Sequence, residues 1–310
     1  DTGFIEICGT TVFDSKQKTG LSPGSRKIGY VFQDVRLFPH LSVKQNLKYG
    51  IKNENAAEVD FNEVVEILKI KQLLSKKPSE CSGGEKQRIA IGRALLSGAQ
   101  ILMMDEPFSA VDVNLRNSII PFLHTINNRF QVPMLVVSHH LPDLLSLTAN
   151  LLLLKDGNVK ALGKFQDLIL DETNVELMKD AGLYNVFNLY VFATLPEKNM
   201  MLLKNDLNGF QVQALCHPSF EEMKAGRKTR VLIRPEDISI ALKPVEAISL
   251  RNQIEGTIQK IFSKNGFWFC LVDAGEKILV EITEASGKNM NLEPGKKVWC
   301  LFKSAALKIF

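Results

Sequence analysis

The chain has 310 residues, 45% hydrophobic and 23% charged, ordinary values for a soluble globular protein with room for two cores. Its formal net charge of +4 comes without a dense Lys/Arg stripe, so nucleic acid is not expected as a partner. The five cysteines (Cys8, Cys81, Cys216, Cys270, Cys300) are scattered and form no CxxC pair, which favours reduced thiols in a cytosolic protein over a disulfide framework or a zinc site.

DTGFIEI, from Asp1, reads as a chain entering a strand, and a start inside a larger protein is expected. KIGYVFQD (27–34) is a strand candidate, β-branched and aromatic, that ends in polar residues. Phe61, Val64, Val65 and Leu68 stand at helical spacing and predict an amphipathic helix. Next comes CSGGEKQR (81–88), where two glycines sit at the start of a helix-forming run. Ser82 and Glu85 fit a capping box. Capping leaves Gly83 and Gly84 unexplained, since glycine weakens a helix. An anion site would use them, because N–H groups at a helix start attract phosphate and missing side chains allow close approach. Both readings stand at this point.

ILMM (101–104) and MLVV (134–137) are short apolar runs that stop at Asp105-Glu106 and at Ser138-His139-His140. With helices between them they predict strands of a buried parallel sheet, and ligands gather at the carboxyl ends of such strands. Asp105 and Glu106 are either a polar strand terminus or a pair in which one carboxylate holds Mg²⁺ through water and the other polarises a water. His139 ends the second of these runs and Gln33 ends a third strand, and His140 reads as a bystander. The longest apolar run, 144–154, is broken by polar residues and falls short of the ~18 needed to span a bilayer. Beyond about 195 alternation dominates. Turn signals at Lys264-Asn265-Gly266, Asp273-Ala274-Gly275 and Glu293-Pro294-Gly295 predict hairpins of a small all-β barrel. The Cys216-His217 pair has no second ligand pair beside it.

The order Gln33 in GYVFQD, then CSGGEKQR, then ILMMDEP, SAVD (109–112) and VSHH resembles the nucleotide-binding domain of ABC transporters, with Cys81 and Glu85 replacing the usual Leu and Gln of the signature. The resemblance implies an α/β P-loop NTPase-type fold with an inserted helical subdomain, a head-to-tail homodimer that sandwiches ATP, and Mg²⁺ as cofactor. It implies that Ser82, Gly83, Gly84 and Glu85 meet the γ-phosphate held by the other copy, and that Asp105 and Gln33 support Mg²⁺. It further implies Glu106 as general base, His139 at the γ-phosphate and Asp112 across the dimer interface. No GxxxxGK(S/T) occurs in the sequence, and Ser286-Gly287-Lys288 and Pro294-Gly295-Lys296-Lys297 lack its spacing. The expectation is a chain truncated before that loop and inactive alone.

YVFQDVRLFPHLSVKQNLKYG (30–50) and KQRIAIGRALL (86–96) more narrowly resemble the ATPase of bacterial molybdate importers. RPEDISIAL (234–242) resembles an importer's accessory OB-like barrel, and the chain from 247 onward resembles the Mop module, with Ser249-Leu250-Arg251-Asn252 and Lys303-Ser304-Ala305 at the oxyanion segments. Expected domains are 1–172, an ABC domain lacking its N-terminal part; 173–246, linker and start of an accessory β region; and 247–310, the Mop-like barrel. The implied partners are integral membrane permease subunits, indirectly a periplasmic or surface molybdate-binding protein, and molybdate or tungstate at the barrel. The implied location is peripheral, on the cytoplasmic face of the plasma membrane. Alternatives are an ABC ATPase for another anion such as sulfate and a catalytically inactive oxyanion-binding protein. A chromosome-maintenance ATPase would place a long coiled coil where only about 50 residues separate Gln33 from Ser82.

Overall fold

A computed structural model describes residues 2–51, 59–108, 113–178, 182–195, 197, 199–216, 225–264 and 266–310, with backbone alone for 113–118, 176 and 264. Asp112, His217 and Asn265 therefore lie outside the described residues. The chain divides into two units, Asp1–Leu147 and Thr148–Phe310.

The first unit opens with an antiparallel ribbon of β1 (Phe4–Ile7), β2 (Thr10–Asp14) and β3 (Thr19–Gly20). A parallel sheet follows in the order β4 (Ile28–Val31), β5 (Ile101–Asp105) and β6 (Met134–Val137), with α1 (Val43–Lys48), α2 (Phe61–Ile67) and α3 (Gly83–Leu96) inserted between β4 and β5. α4 (Val113–Phe130) leads from β5 to β6, and α5 (Leu141–Leu147) leaves β6. The apolar runs thus form parallel strands, as their continuity predicts. Val31, Leu102 and Met104 are buried with Ile89, Ala94, Leu95 and Leu123 in one core. The other face of the sheet carries Tyr30, Leu135 and Val137, which are 40%, 46% and 53% exposed.

The helices form where capping and burial agree. Asp60 accepts the Glu63 N–H at 2.8 Å to start α2, which buries Val64 and Val65. A Ser42–Gln45 capping box starts α1. α3 crosses α1 and α2 at Gly92, where a Cβ would lie 2.9 Å from both Leu47 Cδ2 and Leu68 Cδ1. Asn46, fully buried, accepts the Phe38 N–H at 2.8 Å and donates to the carbonyls of Phe38, Leu41 and Ser42 at 3.0, 3.2 and 3.1 Å. One amide thus pins the 38–42 turn.

The second unit begins with the hairpin β7 (Asn150–Lys155) and β8 (Asn158–Lys164), joined by Asp156 and Gly157 at φ 52° and 71°, the two positive dihedrals that a tight primed turn requires. After α6 (Phe165–Leu168) and α7 (Glu172–Met178), residues 185–310 form two five-stranded sheets. The first has the order β11-β10-β9-β12-β18, from β9 (Asn185–Leu195), β10 (Met200–Lys204), β11 (Gln211–Leu215), β12 (Lys228–Ile233) and, at the chain end, β18 (Lys308–Ile309). The second has the order β13-β17-β14-β15-β16. It is built from β13 (Ser239–Ala241), β14 (Asn252–Lys264), β15 (Phe267–Asp273), β16 (Lys277–Ile282) and β17 (Lys297–Phe302), with α8 (Glu284–Asn289) after β16. Glu293-Pro294-Gly295 does not close a hairpin as expected. It turns the chain from α8 into β17, whose partner is the earlier β14, because the helix uses up the chain after β16.

The two sheets are duplicates. Asn185 opposes Ile233 in the first and Asn252 opposes Phe302 in the second. The pairings Leu202↔Ala193 and Leu203↔Val191 skip one residue, as do Leu271↔Lys260 and Val272↔Ile258. Each half lends its last strand to the other: Ile240 of β13 pairs with Cys300 of β17, and Ile309 of β18 pairs with Val231 of β12. Each half also has one buried asparagine that serves both backbone groups of a facing residue. Asn185 accepts from Leu279 N at 2.6 Å and donates to Leu279 O at 2.8 Å; Asn252 accepts from Gln213 N at 2.7 Å and donates to Gln213 O at 2.9 Å. Residues 173–246, expected as linker and the start of an accessory region, hold most of the first half. Burial raises the Cys270 and Cys300 thiols of this core to about 11 and about 12, which leaves them unreactive near neutral pH.

Replacing Asn185 by Ala leaves the N–H and C=O of Leu279 unpaired in the interior. The expected loss is about 2 kcal/mol, read from urea unfolding of the chain by the fluorescence of Trp268 and Trp299, both in this unit.

Candidate functional site

The carboxyl ends of the three parallel strands bring together residues far apart in sequence. Ile28 pairs with Ile101 and Val31 with Met104, while Met104 pairs with Val136 and Asp105 with Val137. Gln33, Asp105-Glu106 and Ser138-His139 therefore follow three neighbouring strands, in the order 4-5-6, at one end of the sheet.

Glu106 is held in place. Its φ of 44° is left-handed, unusual for a residue with a side chain. Its N–H donates to Val137 O at 2.9 Å, which ties it to the end of β6. The carboxylate accepts three bonds from the opposite turn: His139 N–H at 2.8 Å and His139 Nδ1 at 2.8 Å on Oε1, and Ser138 Oγ at 3.3 Å on Oε2. Its side chain is 17% exposed, whereas that of His139 is 78% exposed. Ser138 Oγ also accepts the His140 N–H at 3.2 Å, and His140 Nδ1 meets Asp143, a buried carboxylate in the first turn of α5, at 2.9 Å. Sequence reasoning left His140 as a bystander. The structure makes it the link from Asp143 to Ser138, a contact made three residues along a turn that no pattern in the sequence advertises.

Asp105 differs from its neighbour. Its carboxylate's one hydrogen bond to another described residue is from Tyr30 Oη, long at 3.4 Å. Burial first, then the Asp105 charge, raises the Tyr30 phenol above its ordinary value. The carboxylate oxygens of Asp105 and the exposed Gln33 amide are hard donors with little competing work. That set fits a magnesium ion that keeps most of its ligands as water.

At the start of α3 the capping reading of SGGE is observed. Ser82 N–H donates to Glu85 Oε2 at 2.7 Å and Glu85 N–H to Ser82 Oγ at 3.4 Å, which completes the capping box. Among the described residues no group caps the N–H groups of Gly83, which is exposed, and Gly84, which is buried. Cys81 is 6% exposed and belongs to the core, with its thiol raised by burial, so it packs as a small hydrophobe.

The segment after β4 is shaped by cation–aromatic packing. Val35 and Arg36 take φ values of 63° and 42°. Arg36 lies 4.2 Å over the Phe32 ring and Arg93 of α3 lies 5.3 Å over the Phe38 ring. Arg93 Nη1 also donates to Arg36 O at 2.9 Å, which ties α3 to the loop that contains Gln33.

In the second unit the start of β14 and the end of β17 lie side by side, since Asn252 opposes Phe302. This brings Ser249, Arg251 and Asn252 into the neighbourhood of Lys303 and Ser304. Asn252 accepts from Gln213 N and gives one of its two amide hydrogens to Gln213 O. Ser249, Arg251 and Lys303 are exposed, and Ser304 Oγ is buried with no hydrogen-bond partner among the described residues. No helix among the described residues is long and apolar enough to cross a membrane.

Comparison with known proteins places these sites in context. The family model described as ABC transporter matches residues 2–109, and that described as TOBE domain matches 248–309. The chain is 35% identical to the molybdenum import ATP-binding protein ModC of Paramagnetospirillum magneticum, over 99% of the chain and 84% of that protein. It is 35% identical to ModC of Haemophilus ducreyi, over 98% and 85%. Among solved structures, a dimeric post-hydrolysis state of the ATP-binding cassette MJ0796 bound to ADP and Pi aligns with 53% of the chain and 75% of its own, at 26% identity and a TM-score of 0.43.

The capping box has a pH signature. The Ser82 N–H holds Glu85 below its ordinary value of 4.5. A lowered carboxylate stabilises the fold above its unfolded pKa and ceases to do so as pH falls. Glu85→Gln is expected to cost a few tenths of a kcal/mol at neutral pH. The gap to the native chain should close below about pH 4.5, as read from thermal unfolding across a pH series.

Proposed function

The chain belongs to the ABC transporter family of molybdenum import ATP-binding proteins, and we propose that it powers the import of molybdate or tungstate by binding and hydrolysing ATP between two copies arranged head to tail. The observation that carries this reading is the strand-end cluster, in which a lightly engaged carboxylate, Asp105, stands beside a clamped one, Glu106, facing His139.

In this reading Asp105 and Gln33 hold Mg²⁺, largely through water. The bound ion supplies charge neutralisation on the β- and γ-phosphates. The N–H groups of Gly83 and Gly84, with Ser82, meet the γ-phosphate that the other copy holds, and Asp112 acts across the interface. Glu106 orients the attacking water and takes its proton. The turn at 138–139 keeps the carboxylate aimed until His139 swings to the phosphate and exchanges partners. Phosphoryl transfer asks for positioning and charge more than covalent chemistry, and this is what these groups offer. The 310 residues hold no GxxxxGK(S/T), the usual cradle for the β- and γ-phosphates.

The Gln33 loop and the exposed surface from Leu37 to Tyr49 are the docking surface for membrane permease subunits on the cytoplasmic face, with the Arg93–Arg36 contact relaying movement to α3. The second unit holds an oxyanion near Arg251, Lys303 and Ser304. In support, the two cations pair with no other described residue, and the buried Ser304 hydroxyl lacks an acceptor or donor of its own.

In the assembled transporter, Glu106→Gln is expected to lower ATP hydrolysis about 10²–10⁴-fold with little change in KM, the usual worth of a general base. Undiminished hydrolysis would overturn its role. His140→Ala, which removes the ring that meets Asp143 while the backbone N–H to Ser138 stays, should lower kcat by less while KM holds, and His140→Asn, which restores a side-chain donor, should recover part of it.

A further inference from the structure

The duplication lets one half of the second unit be compared with the other, position by position. Pairing Asn185 with Asn252, and Ile233 with Phe302, makes Tyr184 equivalent to Arg251, Arg234 to Lys303, Pro235 to Ser304, and Glu236 and Asp237 to Ala305 and Ala306. The turns agree as well, since Pro235–Asp237 and Ser304–Ala306 are both single 3₁₀ turns that lead into exchanged strands. The backbone cradle is therefore present twice.

Its chemistry is not. In the second half, Arg251 and Lys303 bring two positive charges, their side chains pair with no other described residue, and Ser304 adds a buried hydroxyl without a partner. In the first half the one cation, Arg234, is already engaged: Nη1 meets Glu236 Oε1 at 2.9 Å and Nε meets the Tyr184 hydroxyl at 3.3 Å. Counting these positions alone, the second half carries two positive charges, from Arg251 and Lys303. The first carries a net negative one, from Arg234 against Glu236 and Asp237. Pro235 supplies neither a hydroxyl nor an N–H where Ser304 supplies both. A dianion needs donors and positive charge, and meets repulsion where acids already face it.

We propose that the acidic turn Pro235–Asp237 closes the first half's copy of the oxyanion cradle, with Glu236 as a built-in anion on Arg234, so that each chain takes one tetrahedral oxyanion, in its second half. The inference rests on the oxyanion reading of the second half given above, and titration calorimetry of the 310-residue chain with sodium molybdate separates the two. Native chain should bind one molybdate, lost in Arg251→Ala/Lys303→Ala. The triple variant Pro235→Ser/Glu236→Ala/Asp237→Ala, which copies the Ser304-Ala305-Ala306 wording, should bind two. Glu236→Ala/Asp237→Ala, which keeps the proline, serves if the triple variant loses its native tryptophan fluorescence, and should show a second, weaker site. Two molybdates on the native chain, or one on both folded variants, overturns the proposal while the second-half reading survives. None on the native chain but one on a variant sinks the second-half reading and leaves the acidic turn as the closing element. None on any chain overturns both.

Discussion

The parallel register of β4, β5 and β6 is the constraint from which the first unit's chemistry follows. Val31 beside Met104, and Asp105 beside Val137, force residues separated by up to about a hundred positions to emerge at one end of one sheet. The side chains that set this register are apolar and point into the core with α3 and α4, so burial of Val31, Leu102 and Met104 decides where the polar residues beyond them stand. The glycines enforce the same arrangement from the helical side. A Cβ on Gly29 would come within 2.8 Å of the Ala94 carbonyl, so β4 lies against α3 at a distance only glycine allows.

Within that end of the sheet two adjacent carboxylates acquire different characters from their surroundings. Asp105 keeps its oxygens nearly unengaged, which suits a hydrated cation. Glu106, one residue on, bends into a left-handed backbone and receives three hydrogen bonds from the turn that carries Ser138 and His139. Such strain persists where neighbours over-determine it, and here the neighbours are held in turn by His140 and the buried Asp143. α3 resolves a similar tension. Ser82 and Glu85 complete the cap, and among the described residues the N–H groups of the two glycines between them have no partner.

The second unit repeats one fold with different side chains at corresponding turns. Exchange of the last strand makes each half depend on the other for its edge, and the two buried asparagines repeat the same pair of bonds, so the scaffold is constrained equally in both halves. The positions at the cradle's mouth carry no such packing duty. There the acidic turn at 235–237 and the cations at 251 and 303, which pair with no other described residue, separate the two halves chemically.

By itself the sequence determined what local chemistry can determine. Continuous apolar runs ending at DE and SHH specify parallel strands with polar mouths; Asp60 and the Val64–Val65 pair specify α2; SGGE specifies a capped helix with free donors. The ordered motifs carried the family, because each is a short stretch whose backbone role is local. The tertiary structure alone decided the rest. No spacing reveals that His140 reaches back to Ser138 and forward to Asp143, or that Asn252 pairs with both backbone groups of Gln213. The repeat also escaped the sequence. VLIRPEDISI (231–240) and CLFKSAALKI (300–309) share only Leu and Ile at two of ten positions, yet their strand registers coincide. The reason is physical. A sheet records which faces are buried and where backbone groups pair, and many side chains of similar burial satisfy that demand, so the fold repeats after the letters have changed.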